Sequence, residues 1–86
     1  MPEISRFFGI VIKMYWNDHT LPHFHAYYGG QKATFAIESV GLLAGALPKR
    51  QHLFVVEWAL AHRPELLADW NLARAHRPLL SIEPLE

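Results

Sequence analysis

Two adjacent glycines, Gly29 and Gly30, stand between two short runs in which apolar side chains alternate with polar ones. The first run is His23 to Tyr28 (HFHAYY) and the second is Gln31 to Ile37 (QKATFAI). A two-residue Gly-Gly link between such runs predicts a β-hairpin closed by a type I′ turn, because both central positions need positive φ. The link also sets the pairing. Tyr28 falls opposite Gln31, Ala26 opposite Ala33, and Phe24 opposite Phe35, so one face is apolar. The other face carries Tyr27 with Lys32, His25 with Thr34, and His23 with Ala36. Strand side chains alternate between faces, so a slip of one residue would mix the two sets.

The rest of the chain is organised around that hairpin. Phe7 to Trp16 is rich in β-branched and aromatic residues and reads as the preceding strand, with Phe8, Ile10, Ile12, Met14 and Trp16 facing the core. Asn17 to Pro22 reads as a turn. Val40 to Leu47 is small and apolar, and fits either a short fourth strand or a coil. Pro48 suits the first position of a helix. Lys49 to His62 follows, with Leu53, Val56 and Leu60 at helical spacing and Trp58 beside them. Arg63-Pro64 breaks or restarts the helix, since proline lacks an amide hydrogen. Glu65 to Ala75 then carries Leu66, Trp70 and Ala73 on one face. Leu79 to Ile82 fits a final short strand. Strands followed by helices make an α+β fold: a small antiparallel meander of three to four strands, packed by one or two C-terminal helices. At 86 residues the chain is expected to form a single domain, 1–86, with a thin core.

Composition narrows what such a domain can do. There is no cysteine, hence no disulfide and no thiol nucleophile. Eight basic and eight acidic residues give zero net charge, which excludes nucleic-acid binding by bulk electrostatics alone. Zero charge also favours self-association, so a homodimer or a protein partner is expected. No run of apolar residues is long enough to span a membrane, and the first residues lack a cleavable leader's pattern. A cytoplasmic location is expected on these grounds. Histidine is unusually frequent: six residues of 86, three of them within His19 to His25.

The polar face of the meander collects the chemistry. Strand alternation puts His23, His25 and Tyr27 beside Lys32 and Thr34. If the first strand pairs antiparallel with the second, Lys13 and Tyr15 join them, with Lys13 opposite or diagonal to His25. Two lysines, two histidines and two tyrosines would then share one surface, with Asp18 and His19 in the adjoining loop. Three readings follow. In the first, His23 and His25 act as base and acid on an RNA phosphodiester without metal, while Lys13 or Lys32 stabilises negative charge and Tyr27 donates hydrogen bonds. In the second, His19, His23 and His25 bind a metal, zinc being the ion such a set suits, with Asp18 as a further donor. In the third, the face is a non-catalytic surface for a protein or DNA. No cofactor is predicted. His52, His62 and His76 read as surface residues, Trp58 and Trp70 as core. Histidines with ordinary pKa values would make the face more positive below about pH 6.5, so an anionic partner should bind more tightly as pH falls.

Several stretches carry a resemblance. They are FFGIVIKMYW (Phe7 to Trp16), HTLPHFHA (His19 to Ala26), Tyr28-Gly29-Gly30, and the Glu57-Trp58 to Trp70 pattern, with Ile82 to Leu85 closing the chain. Together they resemble a family of small bacterial proteins, domain-of-unknown-function family 4160. The resemblance implies one half of a toxin–antitoxin-type module, paired with a small protein encoded nearby, and toxins of such modules are often ribonucleases. It assigns no catalytic residue.

Overall fold

The structure is a computed structural model that describes residues 3–16 and 21–86. Five strands form one antiparallel sheet in sequence order: β1 (Glu3–Phe7), β2 (Ile10–Lys13), β3 (His23–Tyr28), β4 (Gln31–Ala36) and β5 (Leu42–Gly45). Two helices follow, α1 (Lys49–Ala61) and α2 (Arg63–Arg74). The fold is α+β as expected, but the sheet has five strands where three to four were expected.

The extra strand, β1, lies ahead of the run that reads as one strand over Phe7 to Trp16 and shares only Phe7 with it. The run turns at Phe8-Gly9, whose φ values are 51° and 79°. Two consecutive positive φ values are the mark of a type I′ turn. Gly9 satisfies the turn, and Phe8 accepts the left-handed region at a steric cost. Phe8 is consequently 52% exposed at the turn, where alternation placed it in the core. Ile10, Ile12 and Met14 are buried as expected, and β2 ends before Tyr15 and Trp16.

The central hairpin has the predicted register at all six pairs, from His23 with Ala36 to Tyr28 with Gln31. Its turn differs in kind. Gly29 has φ 58°, while Gly30 is not in the positive region, the pattern of a type II′ turn. β5 resolves the open question over Val40 to Leu47 in favour of a strand. It pairs with β4 through a register shift between Thr34 and Phe35, opposite Leu42 to Ala44, and ends at Gly45, whose φ is 72°.

One core joins the sheet to the helices. Phe24 stacks on Phe35 at 5.5 Å between ring centroids, and Trp58 of α1 meets Phe24 at 5.8 Å and Phe7 at 5.4 Å. These rings anchor α1 to the apolar sheet face. The helix contributes Val55, Trp58 and Ala59 to the core. Leu53 and Leu60, read as its core stripe, are 56% and 53% exposed. The stripe lies on the outer side because Trp58, the largest apolar side chain of the helix, decides which way the helix turns. The helices break at His62, and Pro64 sits within the first turn of α2, where its missing amide costs nothing. Leu66 and Trp70 are buried as expected.

Residues 79–82 form no strand. The segment instead crosses the β1 edge in irregular conformation, with the Ile82 amide donating to the Ile4 carbonyl at 2.7 Å. Trp58 Nε1 donates to the Glu83 carbonyl at 2.8 Å, and the Leu80 amide donates to Asp69 Oδ1 at 2.8 Å. Single bonds to three different elements secure the segment without a ladder.

Candidate functional site

The sheet has one face under α1 and one face away from it. Lys13 pairs directly with His25 in the β2–β3 register, and His25 pairs with Thr34 across β3–β4. The face away from α1 therefore brings Lys13, His25, Tyr27, Lys32 and Thr34 together, with Tyr15 just past the end of β2. Glu3 is the register partner of Lys13 at the β1 edge, and its carboxylate is held by Arg6 at 2.8 Å.

Tyr27 is the centre of the group. Lys13 Nζ lies 5.2 Å and Lys32 Nζ 6.0 Å from its ring centroid. Two ammonium groups thus rest against one phenol, drawn by the negative charge of the ring face. The Tyr27 hydroxyl meets the Tyr15 hydroxyl at 3.1 Å. Burial and that hydrogen bond push the Tyr15 phenol up to about 12, so it stays protonated as a donor.

His25 is half-buried between Tyr15, at 5.0 Å between centroids, and His23, at 5.1 Å. Burial, helped by the neighbouring His23 and Lys32, pushes its pKa down to about 4. The imidazole is neutral over the physiological range. This corrects the expectation that the face gains charge below about pH 6.5: at His25 the proton arrives only near pH 4. It also removes His25 as a general acid at neutral pH and leaves it as a base. Its Nδ1 is 3.1 Å from Thr34 Oγ1. With Nδ1–H donating to that hydroxyl, Nε2 is the accepting nitrogen.

His23 is 7% exposed and belongs to the end of the face that is closed off. Its ring packs 5.2 Å from Trp70 of α2. Nδ1 lies 2.7 Å from the Leu21 carbonyl, and since a carbonyl only accepts, Nδ1 carries the proton. His23 therefore serves the site from behind His25 and not as an open partner to it. His19 and Asp18, offered as metal donors, lie outside the described residues. Among the described residues no group of three or more histidine, cysteine or carboxylate side chains is placed to hold a metal ion.

A second feature was missed from the sequence. Past the end of β2, Tyr15 and Trp16 face the turn after α2 across a cleft of about 300 Å³. His76, read as an ordinary surface residue, packs edge-to-face on Trp16 at 5.7 Å. No spacing rule joins positions 16 and 76, because the contact depends on where α2 ends. The two remaining helix histidines also make ring contacts: His52 with Phe35 at 5.2 Å and His62 with Trp58 at 5.6 Å.

No helix among the described residues is long and apolar enough to cross a membrane. A family model described as Domain of unknown function (DUF4160) matches residues 9–71. That span takes in the Phe8-Gly9 turn's second residue, the whole polar face and most of α2. Comparison with curated proteins and with solved structures gives no match.

Proposed function

The chain belongs to the family described as Domain of unknown function (DUF4160), and from that premise we propose that its polar sheet face binds and cleaves RNA without a metal ion. The chain works as one half of a toxin–antitoxin-type module, beside a small protein encoded nearby. One observation carries the reading: Tyr27 lies between the Lys13 and Lys32 ammonium groups, at 5.2 and 6.0 Å, next to a neutral His25. Two cations a strand apart can each take a phosphate of a passing backbone, and the zero net charge of the chain makes that attraction local.

The chemistry follows from the protonation states. His25 Nε2 takes the proton of a ribose 2′-hydroxyl. The 2′-oxygen attacks phosphorus and the bond from phosphorus to the 5′-oxygen breaks. The Lys13 ammonium, the register partner of His25, returns a proton to the leaving oxygen. The products are a 2′,3′-cyclic phosphate and a free 5′-hydroxyl.

Binding and cleavage are tested separately. RNA affinity measured against salt should weaken with a slope that falls by about 0.7 for each of Lys13→Ala and Lys32→Ala. His25→Ala should keep that affinity and lose about 10²–10⁴-fold in cleavage rate. Expression of the intact protein should arrest growth, and the His25→Ala protein should not. Purified protein that neither binds nor cuts RNA would remove this reading and leave the non-catalytic protein- or DNA-docking surface in its place.

A further inference from the structure

The cleft between β2 and the end of α2 has an apolar floor, an aromatic side and a polar rim that includes one arginine. Met14, Ala73 and Leu79 form the floor, Tyr15 and Trp16 the aromatic side, and His76 and Arg77 the rim. None of these lining residues is acidic. Tyr15 belongs to both places: it lines the cleft, and its hydroxyl meets Tyr27 at 3.1 Å on the lysine face. The cleft therefore borders the face at Tyr15, on the side where Met14 and Trp16 turn toward the core.

The backbone at His76 is the second observation. α2 ends in a Schellman turn: the His76 amide donates to the Ala73 carbonyl at 3.0 Å, and the Arg77 amide to the Leu72 carbonyl at 2.9 Å. The residue at His76's place in this motif must adopt positive φ and is most often glycine. Here it is histidine, with φ 56°. The chain accepts steric cost at a point where glycine would avoid it, and the imidazole so placed packs edge-to-face on Trp16. The cost falls on a residue whose ring lines the cleft against Trp16.

We propose that the cleft receives one unpaired base of a single-stranded RNA, stacked against Trp16, with the Arg77 guanidinium on the adjoining phosphate. The proposal rests on the RNA reading of the Lys13–Tyr27–Lys32 face and adds to it a base pocket. Stacking on an indole tolerates any base, so the pocket supplies affinity and register and does not read sequence. Arg77 suits the phosphate because its planar fork can donate two parallel hydrogen bonds.

The test uses intrinsic fluorescence with two probes, hexa-adenylate and adenosine 5′-monophosphate. Trp58 and Trp70 are buried, so a base stacking in the cleft quenches Trp16. The hexamer should quench the wild-type protein. Trp16→Leu keeps apolar bulk but removes both the π face and the fluorescent reporter; read by titration calorimetry instead, it should weaken hexamer binding between about 5- and 150-fold, the range for one stacked base. Arg77→Gln, an exposed change, should weaken both probes without lowering Tm. His76→Gly should raise Tm by about 4–8 °C by relieving the left-handed backbone, and yet weaken the hexamer.

The outcomes separate the two readings. Lysine-dependent hexamer binding that ignores Trp16→Leu and Arg77→Gln overturns the cleft and leaves the face. Monophosphate binding that depends on Trp16 and Arg77, without hexamer binding, supports the pocket and overturns the face. Binding of neither probe overturns both, and the cleft then belongs to a protein surface.

Discussion

At the residue scale, two titratable groups, half-buried His25 and buried Asp69, carry opposite pH signatures. His25 has a folded pKa near 4, below the usual imidazole value, because burial disfavours its cation. The unfolded chain therefore takes up a proton that the folded chain refuses. His25 contributes stability that is present above about pH 6.5 and lost as pH falls towards 4. Thermal denaturation followed from pH 7 to pH 4 should show Tm falling across that window, and His25→Gln should flatten the fall. Anion affinity of the face should meanwhile stay level between pH 8 and pH 5. Asp69 has the reverse sign. It is 1% exposed, Oδ2 has no hydrogen-bond partner among the described residues, and burial raises its pKa, with Glu65 adding to the rise. Its contribution is lost as pH rises through the raised folded value. Asp69→Asn keeps the oxygen that accepts the Leu80 amide and removes the buried charge. It should flatten the fall in stability with rising pH, whereas Asp69→Ala should destabilise the protein by about 1–3 kcal/mol, both read from denaturant midpoints.

At the element scale, glycine placement decides where strands turn and where they bend. The Gly29-Gly30 hairpin was legible because both signals, the turn residues and the alternation, agreed over twelve residues. The Phe8-Gly9 turn was not, because Phe8 is a strand-former by propensity and occupies a position that favours Asn or Gly. A single glycine inside an apolar run carries two meanings, a bulge or a turn, and only the pairing of β1 with β2 selects between them. Gly45 shows the same point at the other edge of the sheet. A Cβ added there would stand 2.1 Å from the Lys32 carbonyl oxygen, and its φ of 72° is unfavourable for other residues. Gly45→Ala should therefore detach β5 and cost about 1–3 kcal/mol, visible as early exchange of the β5 amides in hydrogen-exchange measurements. The α1 stripe failed for a different reason. Leu53, Val56 and Leu60 form a proper helical line, but Val55, Trp58 and Ala59 form another, and periodicity alone weights them alike. The line holding Trp58 faces the sheet because its ring meets Phe7 and Phe24.

At the scale of the whole molecule, the segment after α2 closes the structure. It has no regular hydrogen-bond pattern of its own, yet it covers the β1 edge through Ile82 and receives the Trp58 indole hydrogen bond at Glu83. A thin core depends on such coverage, because few other side chains shield it. Ile82 is nearly fully buried. Ile82→Ala should cost about 2–5 kcal/mol in equilibrium unfolding, more than truncation of an exposed leucine such as Leu60, where a change within about 0.5 kcal/mol is expected. A loss at Ile82 no larger than that at Leu60 would mean that the segment is not docked in solution.

The hairpin and its polar face were determined by sequence alone, since strand alternation and a two-residue link leave one register that segregates apolar from polar side chains. That is why alternation alone groups Lys13, His25, Tyr27 and Lys32 on one face. Their physical character came from elsewhere. The closure of His23 behind Trp70 and the cleft joining Trp16 to His76 arise between elements distant in sequence, and the depressed pKa of His25 follows first from burial. Local pattern specifies which face a side chain occupies, because that depends on two bonds of backbone geometry. Burial, protonation and cavities depend on what packs against that face, and only the tertiary fold supplies it.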